Sequence, residues 1–329
     1  MTVDFEPAPW AQVAAAPMPA DGRSFWLHTP DGTRLRAMTW PPDADRPGGV
    51  RGTVFMFGGR TEFAEKYFEV AGELLQRGFA VATVDWRGQG LSDRALPDPR
   101  KGHVADYAEF DQDLATFMHA VAPSWPKPWV ALAHSMGGNV LMRGLHDHPG
   151  MFAAAVLNAP MLGLRLGSNF VSGVLGLVAA VGNLSGFAGR YVPGGSPAAN
   201  DAVPFEQNIL THDTARYALH QSQIVADPAL GLGSATYGWL AASFRSIRKV
   251  MQTDYLAAVK TPVLIVAAGA DRLIDRDALI SAAAEVDQGE LLLIEGANHE
   301  VLIETDEIRA KFWAAFDEFI DRRLCPATL

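Results

Sequence analysis

Cysteine is almost missing from this chain of 329 residues, where only Cys325 occurs, close to the C-terminal end. A single thiol allows neither an intramolecular disulfide nor a Cys-based metal cluster. Positive charge is also scarce, with 27 Lys and Arg against 37 Asp and Glu and a formal net charge of −10. Nucleic-acid binding relies on basic patches that neutralise phosphate, so this balance argues against such a partner. It offers no electrostatic attraction to anionic lipid either, leaving at most peripheral membrane contact. The opening residues, Met1-Thr-Val-Asp-Phe-Glu6, lack the basic and apolar regions of a secretory signal. A cytoplasmic protein is the expectation. Long unbroken apolar runs are absent as well. Residues 166–189 carry no charge, but six glycines, three serines and two asparagines interrupt them, which falls short of the ~20 mostly apolar residues a bilayer span requires.

Apolar residues make up 49% of the chain, enough for one large α/β domain carrying an insertion. After a Pro/Ala-rich lead (1–23), two strands flank the hairpin signal Asp31-Gly32. Apolar strands then alternate with helical stretches. Strands are expected at Thr53–Phe57, Ala80–Asp85, Trp129–Ala133, Ala153–Leu157, Pro262–Ala267 and Glu290–Ile294. Helices are expected at Lys66–Arg77, Val104–Val121, Gly138–His146, Asp277–Ala284 and Asp306–Phe319. Continuous apolar strands between helices predict a mainly parallel, doubly wound sheet covered on both faces. Residues 161–259 interrupt this alternation. They read as a helical cap inserted above the carboxyl ends of the strands, where open α/β sheets place their ligands, with 24–160 and 260–329 forming the core.

Ala133-His-Ser135-Met-Gly137 lies where a buried strand turns into a helix. Such a corner strains the serine backbone, projects its hydroxyl from the sheet edge and needs small neighbours. Ala133 stands where this motif commonly has Gly. A serine nucleophile needs a base and a carboxylate to orient that base. On a doubly wound sheet these partners should follow on later strand-end loops, acid first and histidine last. Asp271 follows the strand ending at Ala267, and His299 follows the strand ending at Ile294. Asp275 competes for the acid's role, but its position at a helix start suits an N-cap. His134 reads as part of the elbow, and His146 and His148 suit a helix C-terminus. No pair of histidines has metal-ligand spacing, so no metal is expected. Acyl transfer also needs donors for the oxyanion. One is the N–H of Met136, directly after Ser135, and the other should come from the Gly58-Gly59-Arg60 loop.

Phe57–Tyr67, Asp85-Trp-Arg-Gly-Gln-Gly-Leu-Ser92, His134-Ser-Met-Gly-Gly138, Gly269-Ala-Asp271 and Ala297-Asn-His299 together resemble the lysophospholipase and monoacylglycerol lipase branch of the α/β-hydrolases, over residues 24–322. The resemblance implies the α/β-hydrolase fold and ester hydrolysis through an acyl-serine without a cofactor. Where that family opens the first loop with His-Gly, this chain has Gly58-Gly59, which assigns the second oxyanion donor to the N–H of Arg60. It also implies a loop-holding ion pair between Glu62 and Lys66. The expected substrate is a small-molecule ester carrying an acyl chain. Phe170, Val171, Val174, Leu175 and Val178 recur at near-helical spacing in the uncharged stretch, so this greasy face either lines an acyl channel or packs on the main domain. Alternatives are a small-ester esterase, an amide-cleaving peptidase of the same fold, and a non-catalytic binding protein.

Overall fold

The computed structural model describes residues 5–165, 176, 178, 180–198 and 203–324. Its frame is an eight-stranded sheet built from β1 (Arg23–His28), β2 (Arg34–Trp40), β3 (Gly52–Phe57), β4 (Phe79–Val84), β5 (Trp129–His134), β6 (Ala154–Asn158), β7 (Val263–Ala268) and β8 (Gly289–Ile294). The spatial order is β1-β2-β4-β3-β5-β6-β7-β8. The β1–β2 hairpin turns at Asp31-Gly32, with Gly32 at φ +87°. β2 joins β4 antiparallel, and every pairing from β4 to β8 is parallel. All residues of β3, β4, β6 and β7 are buried, because helices cover both faces of a parallel sheet.

Alternate strand residues feed two separate cores. Val54, Met56, Val130 and Leu132 pack beneath α1 (Phe68–Gln76) and α8 (Asp306–Leu324). Phe55, Phe57, Ala131 and Ala133 pack beneath α2 (Ala108–Val121), α3 (Ser135–Asp147) and α7 (Arg276–Glu285). Several boundaries differ from expectation. α2 starts at Ala108 rather than Val104, because the Glu109 carboxylate takes the N–H groups of Ala105 and Asp106 at 3.0 and 3.1 Å and closes a turn before the helix. α1 follows a 3₁₀ turn over Ala64–Tyr67, and α8 runs on to Leu324, its last turn tied to Glu290 by Arg322 and Arg323.

The lead is bound rather than loose. Ala8 N–H donates to Ser24 O at 2.9 Å, Trp26 N–H donates to Glu6 O at 2.8 Å, and Phe5 stacks on Phe25 at 4.4 Å. Ala11 N–H reaches the Glu65 carboxylate at 2.9 Å, which also pairs with the fully buried Arg36. Between β6 and β7 lie α4 (Thr214–Ala226), α5 (Tyr237–Val250) and α6 (Thr253–Ala257). Asp213 and Thr236 cap the first two by accepting from Arg216 N–H and Trp239 N–H. This segment meets the loops at the carboxyl ends of the strands. Arg60, after β3, donates to Gly233 O at 2.8 Å, and Glu300 N–H, after β8, donates to Leu210 O at 2.9 Å. Ser246 of α5 also donates to Asn139 of α3 at 2.6 Å.

Candidate active site

Strand β5 ends at His134, and α3 begins at once with Ser135, earlier than the Gly138 start read from sequence. Ser135 has φ +50°, a left-handed conformation rarely adopted outside glycine and held here by its surroundings. Its carbonyl accepts from Met161 N–H at 2.8 Å. The corner is closed by glycines. A Cβ on Gly137 would fall 2.4 Å from Phe57 O, and one on Gly138 would fall 2.6 Å from Pro160 Cβ. Helix and strand ends therefore touch, and Ser135 Oγ stands at the carboxyl edge of the sheet.

The structure brings Ser135, Asp271 and His299 into one chain of hydrogen bonds. His299 Nε2 lies 3.0 Å from Ser135 Oγ, and His299 Nδ1 lies 2.8 Å from Asp271 Oδ2. A carboxylate only accepts, so Nδ1 carries the proton and Nε2 presents its lone pair to the hydroxyl. Asp271 is fixed in turn, its Oδ1 accepting from Leu273 and Ile274 N–H at 2.7 and 3.0 Å. Burial works to raise the Asp271 carboxyl, yet the bond and charge of His299 and those two N–H groups outweigh it and hold the carboxyl below its ordinary range. Asp275 is elsewhere, capping α7 through Asp277 N–H at 3.0 Å.

The loop after β3 borders Ser135, since a Cβ on Gly59 would lie 3.0 Å from Ser135 Cβ. Its shape depends on Glu62, which is 3% exposed. The Glu62 carboxylate accepts from Gly59 N–H, Tyr67 O–H and Lys66 Nζ, the last at 2.9 Å. His134 Nδ1 sits 3.1 Å from the same carboxylate, and His134 Nε2 lies 3.3 Å from His299 O. Lys66 also reaches Glu300 at 2.6 Å, so one buried cluster braces both the loop and the backbone of the histidine. Burial opposes every charge in it. The His134 and Lys66 charges nonetheless keep Glu62 well below its ordinary range, and Glu62 raises His134. A side chain at Gly58 would meet Tyr67 Cε2 at 3.3 Å and Glu62 at 3.4 Å, so those two residues fill the space beside it. Sequence reading caught Glu62–Lys66 but missed His134–Glu62 and Glu300, because partners far apart in the chain leave no local pattern.

Met136 is fully buried directly after the serine. The Arg60 side chain turns to the segment between β6 and β7, its guanidinium 4.9 Å from the Trp239 ring centre. His146 stacks on Tyr255 at 3.7 Å near the end of α3. Of the apolar stretch, Phe170, Val171, Val174 and Leu175 lie outside the described residues, and Val178 is 40% exposed. Cys325 is also outside them. Among the described residues no group of three or more His, Cys, Asp or Glu side chains is arranged to hold a metal ion, and no helix is long and apolar enough to cross a membrane.

Sheet order, elbow serine and strand-end partners define a serine hydrolase built on the α/β-hydrolase fold. Residues 48–306 match the family described as serine aminopeptidase, S33, and the chain belongs to that family. Lysophospholipase L2 of Escherichia coli (strain K12) is 34% identical over 284 residues, covering 82% of this chain and 80% of that protein. Monoacylglycerol lipase of Mycolicibacterium smegmatis is 29% identical over 286 residues, covering 84% and 89%. A soluble variant of monoglyceride lipase from Saccharomyces cerevisiae shares the fold, with a TM-score of 0.69 at 19% identity over 91% of this chain and 96% of that one.

Proposed function

We propose that this protein hydrolyses single-chain lipid esters, a lysophospholipid or a monoacylglycerol, through an acyl intermediate on Ser135. The observation that carries the chemistry is the 3.0 and 2.8 Å relay from a serine at positive φ. Ser135 Oγ passes its proton to His299 Nε2 and attacks the ester carbonyl carbon. The resulting oxyanion is received by the N–H groups of Met136 and Arg60. Collapse expels the alcohol, which takes the proton from His299. Water then repeats the sequence in reverse and frees the acid, while Asp271 holds the imidazole in the required tautomer and stabilises its charged form.

The lipid part of the reading is supported by the names of the relatives and by the uncharged residues 166–189 between β6 and β7. We read 161–259 as a cap whose apolar face, with Phe170, Val174, Leu175 and Val178, receives the acyl chain. We also read it as a cytoplasmic enzyme, and its formal net charge of −10 fits one that meets lipid as single molecules or at most at a membrane periphery. Each buried methylene is worth about 0.8 kcal/mol, so four more carbons should raise kcat/KM by up to about two decades. The test is a panel of p-nitrophenyl esters of increasing length beside lysophosphatidylcholine, monoacylglycerol and an aminoacyl p-nitroanilide. A rise with chain length and cleavage of at least one lipid are expected. Equal kcat/KM for acetyl and decanoyl esters leaves a small-ester hydrolase, and preference for the anilide leaves a peptidase.

A further inference from the structure

The segment between β4 and α2 takes no part in the relay, yet it grips the loop beside the nucleophile. Trp86 Nε1–H donates to Gly58 O at 2.9 Å, and Gln89 Nε2 donates to Gly59 O at 2.6 Å and Glu62 O at 3.3 Å. Gln89 is 4% exposed. Both of its partners are carbonyl oxygens, so the NH₂ end of the amide is the end that faces them. We propose that Gln89 is a positioning residue for the oxyanion hole, aiming the Arg60 N–H by holding the carbonyl of the same peptide.

Peptide planarity links the two atoms. Gly59 C=O and Arg60 N–H belong to one trans peptide and point in opposite directions. Anchoring the oxygen on Gln89 turns the N–H to the far side, and this peptide adjoins Ser135, as the 3.0 Å approach of a Gly59 Cβ to Ser135 Cβ requires. The preceding N–H, that of Gly59, is held by the Glu62 carboxylate. Two buried side chains thus set the rotation of the backbone on either side of Gly59, a residue whose freedom would otherwise let that peptide turn over. An oxyanion donor acts only when it points at the developing charge before the reaction begins. Gln89 touches no substrate atom in this account and acts only through the peptide.

The inference rests on the Ser135 hydrolase reading, and its test separates the two. Gln89→Leu and the near-isosteric Gln89→Glu are compared with wild type and Ser135→Ala on a p-nitrophenyl ester, together with inhibition by an alkyl boronic acid and thermal unfolding. In both Gln89 variants kcat should fall about 10- to 100-fold with KM within about twofold. Boronate affinity should weaken by the same factor, because its tetrahedral adduct uses the same donors. In Gln89→Glu the deficit relative to wild type should shrink as pH falls, since a protonated carboxyl can donate to Gly59 O again. A lowered Tm with wild-type kcat and boronate affinity would reduce Gln89 to a packing residue and overturn the inference. Turnover surviving in Ser135→Ala would overturn the reading beneath it instead. Should Gln89→Leu fail to fold, Gln89→Glu alone decides, and wild-type kcat for it at pH 8 overturns the proposal.

Discussion

Gly137→Ala should damage the reaction more than the fold. The added Cβ would sit 2.4 Å from Phe57 O, 2.5 Å from Gly58 O and 2.9 Å from Phe57 C. These are backbone atoms at the end of β3, where the Gly58-Gly59-Arg60 loop begins, so none can rotate aside. Carbon and oxygen settle at about 3.3 Å or more, so the elbow and the loop must part by roughly 1 Å. A misplacement of that size costs about 10² in rate, and the overpacking costs about 1–3 kcal/mol of stability. Gly144→Ala is the matched control on the same helix. Its Cβ would meet Leu114 Cδ2 at 2.4 Å, the far end of a flexible side chain, with the next atom at 3.8 Å. It should move Tm without moving kcat per folded enzyme. The assay is kcat on a short p-nitrophenyl ester, with folded fraction and Tm from thermal unfolding. A Gly137→Ala enzyme with kcat within twofold of wild type would refute the claim that this contact sets the geometry of the site.

Asp271→Asn should lower kcat by about 10⁴ through the wrong imidazole tautomer, whereas Asp275→Asn replaces one good N-cap by another and should leave kcat near wild type. The reverse ranking would move the acid to Asp275. The buried pair of Glu62 and His134 gives a pH signature in stability. A carboxyl held low contributes above its unfolded value, ordinarily 4.5, and loses that contribution as pH falls. A histidine held high contributes below its unfolded value, ordinarily 6.5, and loses that contribution as pH rises through its native value. Both act fully between those values, so Glu62→Gln should lower Tm most within that window. A gap to wild type that stays constant from about pH 4 to 9 would contradict the pairing.

Much of the fold can be read from the chain because parallel strands are buried on both faces and leave continuous apolar runs, as at Thr53–Phe57 and Val263–Ala268. Ser135, Asp271 and His299 stand out for a related reason, since each follows such a run and they occur in the order that a doubly wound sheet brings together. What escapes reading depends on contacts without local pattern. Gln89 sits in the long connection between β4 and α2 and gains its place only when β4 lies beside β3. Glu300 reaches Lys66 across 234 positions of the chain. The bound lead is invisible for the same reason, because its anchor on Glu65 depends on a fully buried Arg36 one strand away. Helices α4 to α6 read only as one helical cap over 161–259 without bounds of their own, since their buried residues answer to loops from several strands rather than to one sheet face.

The most direct test of the account is the site of covalent labelling by a fluorophosphonate, read by mass spectrometry of the digested protein. One phosphonyl adduct is expected on Ser135, formed in parallel with loss of esterase activity, slowed strongly in His299→Ala and absent in Ser135→Ala. An unlabelled, fully active wild-type enzyme, or an adduct on any other residue that tracks the loss of activity, would contradict it.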